Sequence, residues 1–198
     1  VKGPTWVQSV PYACYRREVF DQLGLFHEGL DRSEDAEFHR RMVEAGKKFL
    51  FVPSIVSRYY ARSDLKSFWS HSFDNGLWAV LPTQHTGRLV VSLRHLTPLL
   101  FVFFLILSMI LVALGALPGW VPLSGISAYL ILNLAFSSLL SERDLRLLGV
   151  LPFIFSLLHI GYGLGSLWGF ARVLWARTLA WAGLGEFPIP PPPTEEKE

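Results

Sequence analysis

Leu96-Thr97-Pro98-Leu99-Leu100-Phe101-Val102-Phe103-Phe104-Leu105-Ile106-Leu107-Ser108-Met109-Ile110-Leu111 opens a run that reaches Ser141 without one Asp, Glu, Lys or Arg. Such a run is too long for a buried core helix and has room for two bilayer crossings of about 20 residues each. The rest of the chain is different. Residues 1–95 hold 13 Lys/Arg and 10 Asp/Glu, so a charged half precedes an apolar one. Hydrophobic residues make up 51% and charged residues 17%, against roughly a quarter charged in ordinary globular domains.

Working outward, span one is expected over 96–117. Pro118-Gly119-Trp120-Val121-Pro122 reads as a tight turn with an interfacial Trp. Span two follows over 123–140, Ser141 to Arg146 is a polar loop, and span three covers 147–170. Arg172, Trp175, Arg177 and Trp181 suggest an interfacial segment after it, because Trp favours the headgroup zone. Gly161, Gly165 and Gly169 recur every fourth residue and predict close helix packing. Gly161-Tyr162-Gly163-Leu164-Gly165 imitates a dinucleotide loop but follows an apolar helix, not a strand, and fails that context. His159 lies inside a span, where it either bonds a neighbouring helix or meets a lipid phosphate. The tail is Pro-rich and acidic, the composition of disorder.

Excess Lys/Arg marks the cytoplasmic side of a membrane protein. Arg88 and Arg94 before span one, and Arg143 and Arg146 after span two, therefore belong in the cytoplasm, together with residues 1–95. The uncharged turn at 118–122 belongs outside. The expected location is the cytoplasmic membrane, multi-pass.

A net charge of +2 gives nucleic-acid binding no support. The single cysteine, Cys14, excludes an internal disulfide and a Cys-rich zinc site. The chain begins at Val1 and shows no signal peptide, so it is expected to be the C-terminal part of a longer protein.

In the charged half, Trp6 to Val10 alternates as a strand does. Arg17 to Leu23 forms one or two helical turns closed by Gly24, and His27-Glu28-Gly29 is a loop. Leu30-Asp31-Arg32-Ser33-Glu34-Asp35-Ala36-Glu37-Phe38-His39-Arg40-Arg41 starts the next helix, with Ser33 as N-cap and Gly46 as its stop. Lys48 to Val52 is a strand ended by Pro53, and Ile55 to Tyr60 is another. Leu65 to Leu81 is an amphipathic helix with Leu65, Phe68, Trp69, Phe73, Leu77 and Trp78 on its apolar face, suited to a membrane interface.

Two adjacent carboxylates, Glu34 and Asp35, stand at a helix start. They can act as a general base or help to hold a metal; taken alone they fit ordinary helix capping better. Arg16 and Arg17 suit a diphosphate or are solvated charges. Trp69 and Trp78 read as interface anchors. Cys14 reads as a small buried residue, and no His/Cys/Asp spacing supports zinc.

The segment Val10-Pro11-Tyr12-Ala13-Cys14-Tyr15-Arg16-Arg17-Glu18-Val19-Phe20, then Leu23-Gly24-Leu25-Phe26, then Arg32-Ser33-Glu34-Asp35-Ala36-Glu37-Phe38, resembles the second half of a family 2 glycosyltransferase of GT-A fold. Phe51-Val52-Pro53-Ser54-Ile55 and Tyr59-Tyr60-Ala61-Arg62-Ser63 are similar to the succinoglycan-type (ExoA-like) branch, which carries C-terminal spans. The resemblance implies an α/β partial GT-A domain followed by an α-helical transmembrane region. Residues 1–64 would be the catalytic part, 65–95 an interfacial helix and basic collar, 96–182 a membrane region of about three helices, and 183–198 the tail.

The resemblance also implies roles. Asp35 would be the base that deprotonates the acceptor hydroxyl, and Glu34 would support it or contact the acceptor. Arg16, Arg17, His71 and Trp78 would contact substrate. The partners would be a nucleotide-diphosphate sugar, a lipid-linked or polysaccharide acceptor and the membrane. A divalent metal, Mg or Mn, is expected in the complete enzyme, although its Asp-x-Asp ligand motif is absent from this chain. His71-Ser72-Phe73-Asp74-Asn75-Gly76-Leu77-Trp78 stands where processive relatives carry Gln-x-x-Arg-Trp. No Arg precedes Trp78, which favours single-sugar addition over polymerisation through a pore. The alternative reading is a non-enzymatic membrane scaffold or assembly subunit with 1–95 as a docking domain.

Overall fold

The computed structural model describes residues 3–7, 9–10, 12–60, 63–87, 93–141 and 144–185. Arg88, Arg143, the pair Ala61-Arg62 and the tail from 186 onward, all used in the sequence reading, lie outside the described residues.

The charged half is small. Strand β1 (Thr5–Val7) pairs antiparallel with β2 (Phe49–Phe51), with Thr5 opposite Phe51, Trp6 opposite Leu50 and Val7 opposite Phe49. Between them lie helices α1 (Arg17–Leu23) and α2 (Glu34–Glu44). Gly24 ends α1 at φ 77°, donating its N–H to the Phe20 carbonyl at 2.8 Å, a left-handed conformation that glycine adopts without a Cβ penalty. Phe38, Met42 and Phe49 form the buried centre, and Val7, Val10, Tyr15, Val19, Phe20 and Leu23 pack around it. Phe38 and Met42 sit four residues apart on one face of α2, as the sequence spacing requires. Phe20 stacks on Phe38 with ring centroids 5.1 Å apart, and Tyr15 and Phe26 meet Phe38 edge-on at 5.2 and 5.0 Å.

The expected α/β GT-A domain is not what folds. The described residues contain two three-residue strands in one antiparallel pair, and helices make up most of the rest. A parallel sheet needs crossover helices between strands and strands buried on both faces. Here the two strands are direct neighbours, and the strand expected over 55–60 does not form. Its apolar side chains have no sheet to join: Ile55 is 78% exposed, Val56 82% and Tyr60 86%. Of the strand expected over 6–10, the observed element β1 takes in Trp6 and Val7.

The second half is helical: α3 (Leu65–Val80), a short α4 (Thr83–Thr86), a 3-10 turn (Leu93–Leu96), α5 (Thr97–Ala113), α6 (Trp120–Leu140) and α7 (Leu145–Trp181). Two of these, α6 with 21 residues and α7 with 37 residues, are long and apolar enough to cross a membrane, with mean hydropathy 1.7 and 1.9 over their most apolar 18-residue stretches. The first expected span is a shorter apolar helix of 17 residues. The third expected span and the interfacial segment after it are one continuous helix.

Polar side chains join α6 to α7. Asn133 donates to the Pro152 carbonyl at 2.9 Å and to Ser156 Oγ at 3.1 Å, and Tyr129 Oη lies 3.1 Å from His159 Nδ1. His159 thus bonds a neighbouring helix, the first of its two sequence readings. The most extensive helix contact joins α3 to α7. It is made by small residues. Ser72, Gly76, Ala79 and Val80 are the buried side of α3, while the aromatic residues beside them are only half-covered. A Cβ on Gly76 would overlap the Tyr162 carbonyl, and one on Gly165 the Phe73 carbonyl. Gly161 and Gly169 also face α3, and Gly163 faces Pro98 and Val102 of α5. The every-fourth-residue glycine pattern is therefore a helix-packing stripe.

Candidate functional site

The acidic pair stands at the start of α2, and its neighbours are fixed by what precedes it. Ser33 is the N-cap residue but takes a left-handed backbone, φ 62°, and its hydroxyl does not cap the helix. It donates instead to the Trp78 carbonyl of α3 at 3.2 Å. Arg32 pairs with Asp74 of α3 at 3.4 Å. A left-handed non-glycine residue costs about 1–3 kcal/mol and persists where surrounding contacts hold it; here the two bonds to α3 do so. The mouth of α2 is therefore fastened to the helix that packs on α7.

Asp35 is exposed, and its Oδ1 accepts the Ala36 N–H at 2.7 Å. Glu34 is half-buried. One turn further on, His39 is only 4% exposed. Its Nδ1 lies 2.9 Å from Ser9 Oγ, its Nε2 lies 2.6 Å from Tyr15 Oη, and its ring meets Phe49 edge-on at 4.5 Å. Burial raises the Tyr15 pKa, and the negative charge of Asp35 adds to that rise. Burial lowers the His39 pKa, and the same carboxylate opposes the fall. Asp35, Tyr15 and His39 thus form one electrostatically connected group with a solvent-facing carboxylate at its edge. Such a carboxylate can accept a proton from a bound hydroxyl.

Glu37 has a structural task. It is 4% exposed and binds Arg41 Nε with both carboxylate oxygens, at 2.9 and 3.0 Å. Arg41 donates onward to the carbonyls of Leu23 at 2.5 Å and Leu25 at 2.8 Å, tying the end of α1 to α2. Sequence reading assigned neither Arg41 nor His39 a role, although the Glu37/Arg41 spacing of four is a visible signal.

The other expected site residues are dispersed. Arg16 is exposed and lines an open groove of about 890 Å³ together with Trp6, Tyr12, Lys47 and Phe51. Glu34, Asp35, His71 and Trp78 do not line that groove. Arg17 is 87% exposed along its side chain and pairs with Asp21 at 3.3 Å. His71 Nε2 lies 3.1 Å from Asn75 Nδ2, and the Trp78 carbonyl accepts from the Ser33 hydroxyl just ahead of the acidic helix. Cys14, expected to be buried, is exposed. Among the described residues no three His, Cys, Asp or Glu side chains gather as metal ligands. The metal that the glycosyltransferase resemblance implies therefore has no donor set among them. No protein-family model, curated protein or solved structure matches the chain.

Proposed function

We propose that the chain is the membrane-anchored, acceptor-side part of an inverting glycosyltransferase that moves a sugar from a nucleotide-diphosphate donor to a lipid-linked or polysaccharide acceptor. One observation carries this reading. The helix bearing Glu34 and Asp35 is fastened through Ser33 and Arg32 to α3, and α3 is packed against the long apolar α7. An exposed carboxylate is thereby held at a fixed place beside helices suited to a bilayer, where an acceptor on a lipid carrier presents its hydroxyl. Asp35 takes the proton of that hydroxyl as its oxygen attacks the anomeric carbon, and the nucleoside diphosphate leaves with the bonding pair. Tyr15 and His39 hold the neighbouring surface in place. Residues 1–95 face the cytoplasm, where nucleotide sugars are made.

The test is Asp35→Asn in the protein expressed from its full reading frame, with transfer and donor binding measured separately. Transfer is expected to fall about 10²- to 10⁴-fold, the usual contribution of a positioned base, with donor binding retained. Normal turnover would defeat the assignment.

The second reading, a membrane scaffold docking through residues 1–95, is favoured by the exposed apolar side chains of Trp6, Tyr12, Ile55, Val56 and Tyr60. Under it no transfer is detected with either the native protein or the Asp35→Asn variant.

A further inference from the structure

We propose that Ser33 is a two-position switch through which α3 aims the Asp35 carboxylate. In the observed position the Ser33 hydroxyl donates to the Trp78 carbonyl of α3 at 3.2 Å and does not cap α2. The place it leaves open is the N–H of Ala36, the third residue of the helix, which an N-cap hydroxyl ordinarily takes. Asp35 fills that place: its Oδ1 accepts the Ala36 N–H at 2.7 Å. This bond fixes the direction of the carboxylate and leaves Oδ2 for a proton. In the second position Ser33 returns to an extended backbone, its hydroxyl accepts the Ala36 N–H, and Asp35 is released to swing in solvent. One hydroxyl and one N–H thus couple the contact with α3 to the aim of the carboxylate.

Local preferences favour the second position, and tertiary contacts favour the first. Ser33 stands at φ 62°, a left-handed conformation that non-glycine residues rarely adopt, and a serine at an N-cap ordinarily bonds its own helix. Against both stand two contacts to α3: the Ser33 hydroxyl bond and the Arg32–Asp74 pair, 3.4 Å apart with side chains 37% and 35% exposed. A partly exposed pair of this kind contributes little. The two positions are therefore close in free energy, and small displacements of α3 decide between them. The motion is confined to the mouth of α2. One turn further on, Phe38 is fully buried and Glu37 is paired with Arg41, so the rest of the helix stays in place. The switch itself does not depend on glycosyl transfer; that its observed position is the working one rests on Asp35 as the base.

The test is carboxylate labelling of the full chain in mild detergent with a water-soluble carbodiimide and glycinamide. Labelling is read by peptide mass spectrometry and scaled to Glu18, an exposed carboxylate of α1. Arg32→Gln weakens the tether and leaves Ser33 intact. It should raise Asp35 labelling about fivefold, the change in population that one capping bond of ordinary strength supplies. Ser33→Asp keeps a cap acceptor, lacks the donor for the Trp78 carbonyl, and should raise labelling similarly. Arg32→Gln combined with Ser33→Ala loosens the tether but has no hydroxyl to take the Ala36 N–H, so labelling should return to the native level. A rise that persists in this double variant would reveal plain loosening and overturn the switch. Native-level labelling in either Arg32→Gln or Ser33→Asp would overturn it as well. Far-UV circular dichroism checks that each variant keeps its helices, and Asp74→Asn replaces Arg32→Gln if that variant unfolds. The base assignment is judged separately. Normal turnover by Asp35→Asn would remove the catalytic meaning of the switch and leave the labelling pattern, whereas a failed labelling pattern would sink the switch and leave the base.

Discussion

His39 shows how a single buried side chain can be read twice. In the sequence it is one polar residue among many in α2; in the fold both ring nitrogens meet hydroxyls, from Ser9 and Tyr15, under the Phe49 ring. Replacing it with Leu leaves the half-buried Tyr15 hydroxyl without that partner, and a stranded polar group costs up to about 1–3 kcal/mol where water cannot replace the lost bond. Chemical denaturation of His39→Leu should show a loss of that size. The pH dependence has a definite sign. Burial holds the folded-state pKa below the ordinary histidine value, so the unfolded chain binds more protons as pH falls through about 6.5. The stabilisation is therefore whole above that pH, declines on acidification, and levels off below the folded-state value. Thermal melts between neutral and mildly acidic pH should show a slope that His39→Leu lacks. Asp64 titrates elsewhere: its hydrogen bonds from Ser67 lower its pKa from 3.8, so its contribution is whole above 3.8 and lost only in stronger acid. A slope unchanged by His39→Leu would mean that another group governs the acid limb.

The elements obey local signals well and tertiary ones less well. Gly24 and Gly46 stop α1 and α2 where the sequence places them, each at positive φ. The glycine repeat in α7 was legible because small residues every fourth position make one flat helix face. The partner of that face was not legible. On α3 the eye follows Phe68, Trp69 and Phe73, whereas the buried stripe is Ser72, Gly76 and Val80, because close backbone approach excludes large side chains. This interface yields a paired prediction. Gly165→Val puts side-chain atoms into the Phe73 carbonyl and the α3 backbone, which cannot swing aside, so α3 must separate from α7. The expected loss is at least about 1–3 kcal/mol, the range for overpacking. Gly149→Ala lies in the same helix with nothing within 4 Å of the added methyl. It should be neutral or stabilise by up to about 1 kcal/mol through helix propensity. Unfolding of both variants in graded denaturing detergent, followed by helicity, checks the contrast; similar effects at the two positions would remove the case for a glycine-mediated seam.

At the scale of the whole molecule, the division into a charged and an apolar half was plain in the sequence, since no Asp, Glu, Lys or Arg falls between Leu96 and Ser141. The sheet was misread because strand-like composition at Ile55 to Tyr60 says nothing about whether a pairing edge is available, and none reaches it. Under the membrane reading proposed above, the number of crossings depends on α5. Its 17 residues span about 25 Å, a few ångström less than typical hydrocarbon thickness, a mismatch that local thinning accommodates at modest cost. If α5 crosses, residues 1–60 and the turn after α5 lie on opposite sides of the bilayer. The lone Cys14 is exposed and reports the first position directly. A membrane-impermeant maleimide applied to intact cells should leave it unlabelled and should label it in inside-out vesicles, as a cytoplasmic location requires. Ala116→Cys in a Cys14→Ser background places a thiol at an exposed point in the α5–α6 turn and should give the reverse pattern. If both thiols label from the same side, α5 does not cross, the charged half and the turn share a compartment, and an active site beside α3 would have to be supplied with acceptor from the opposite leaflet to the one proposed here.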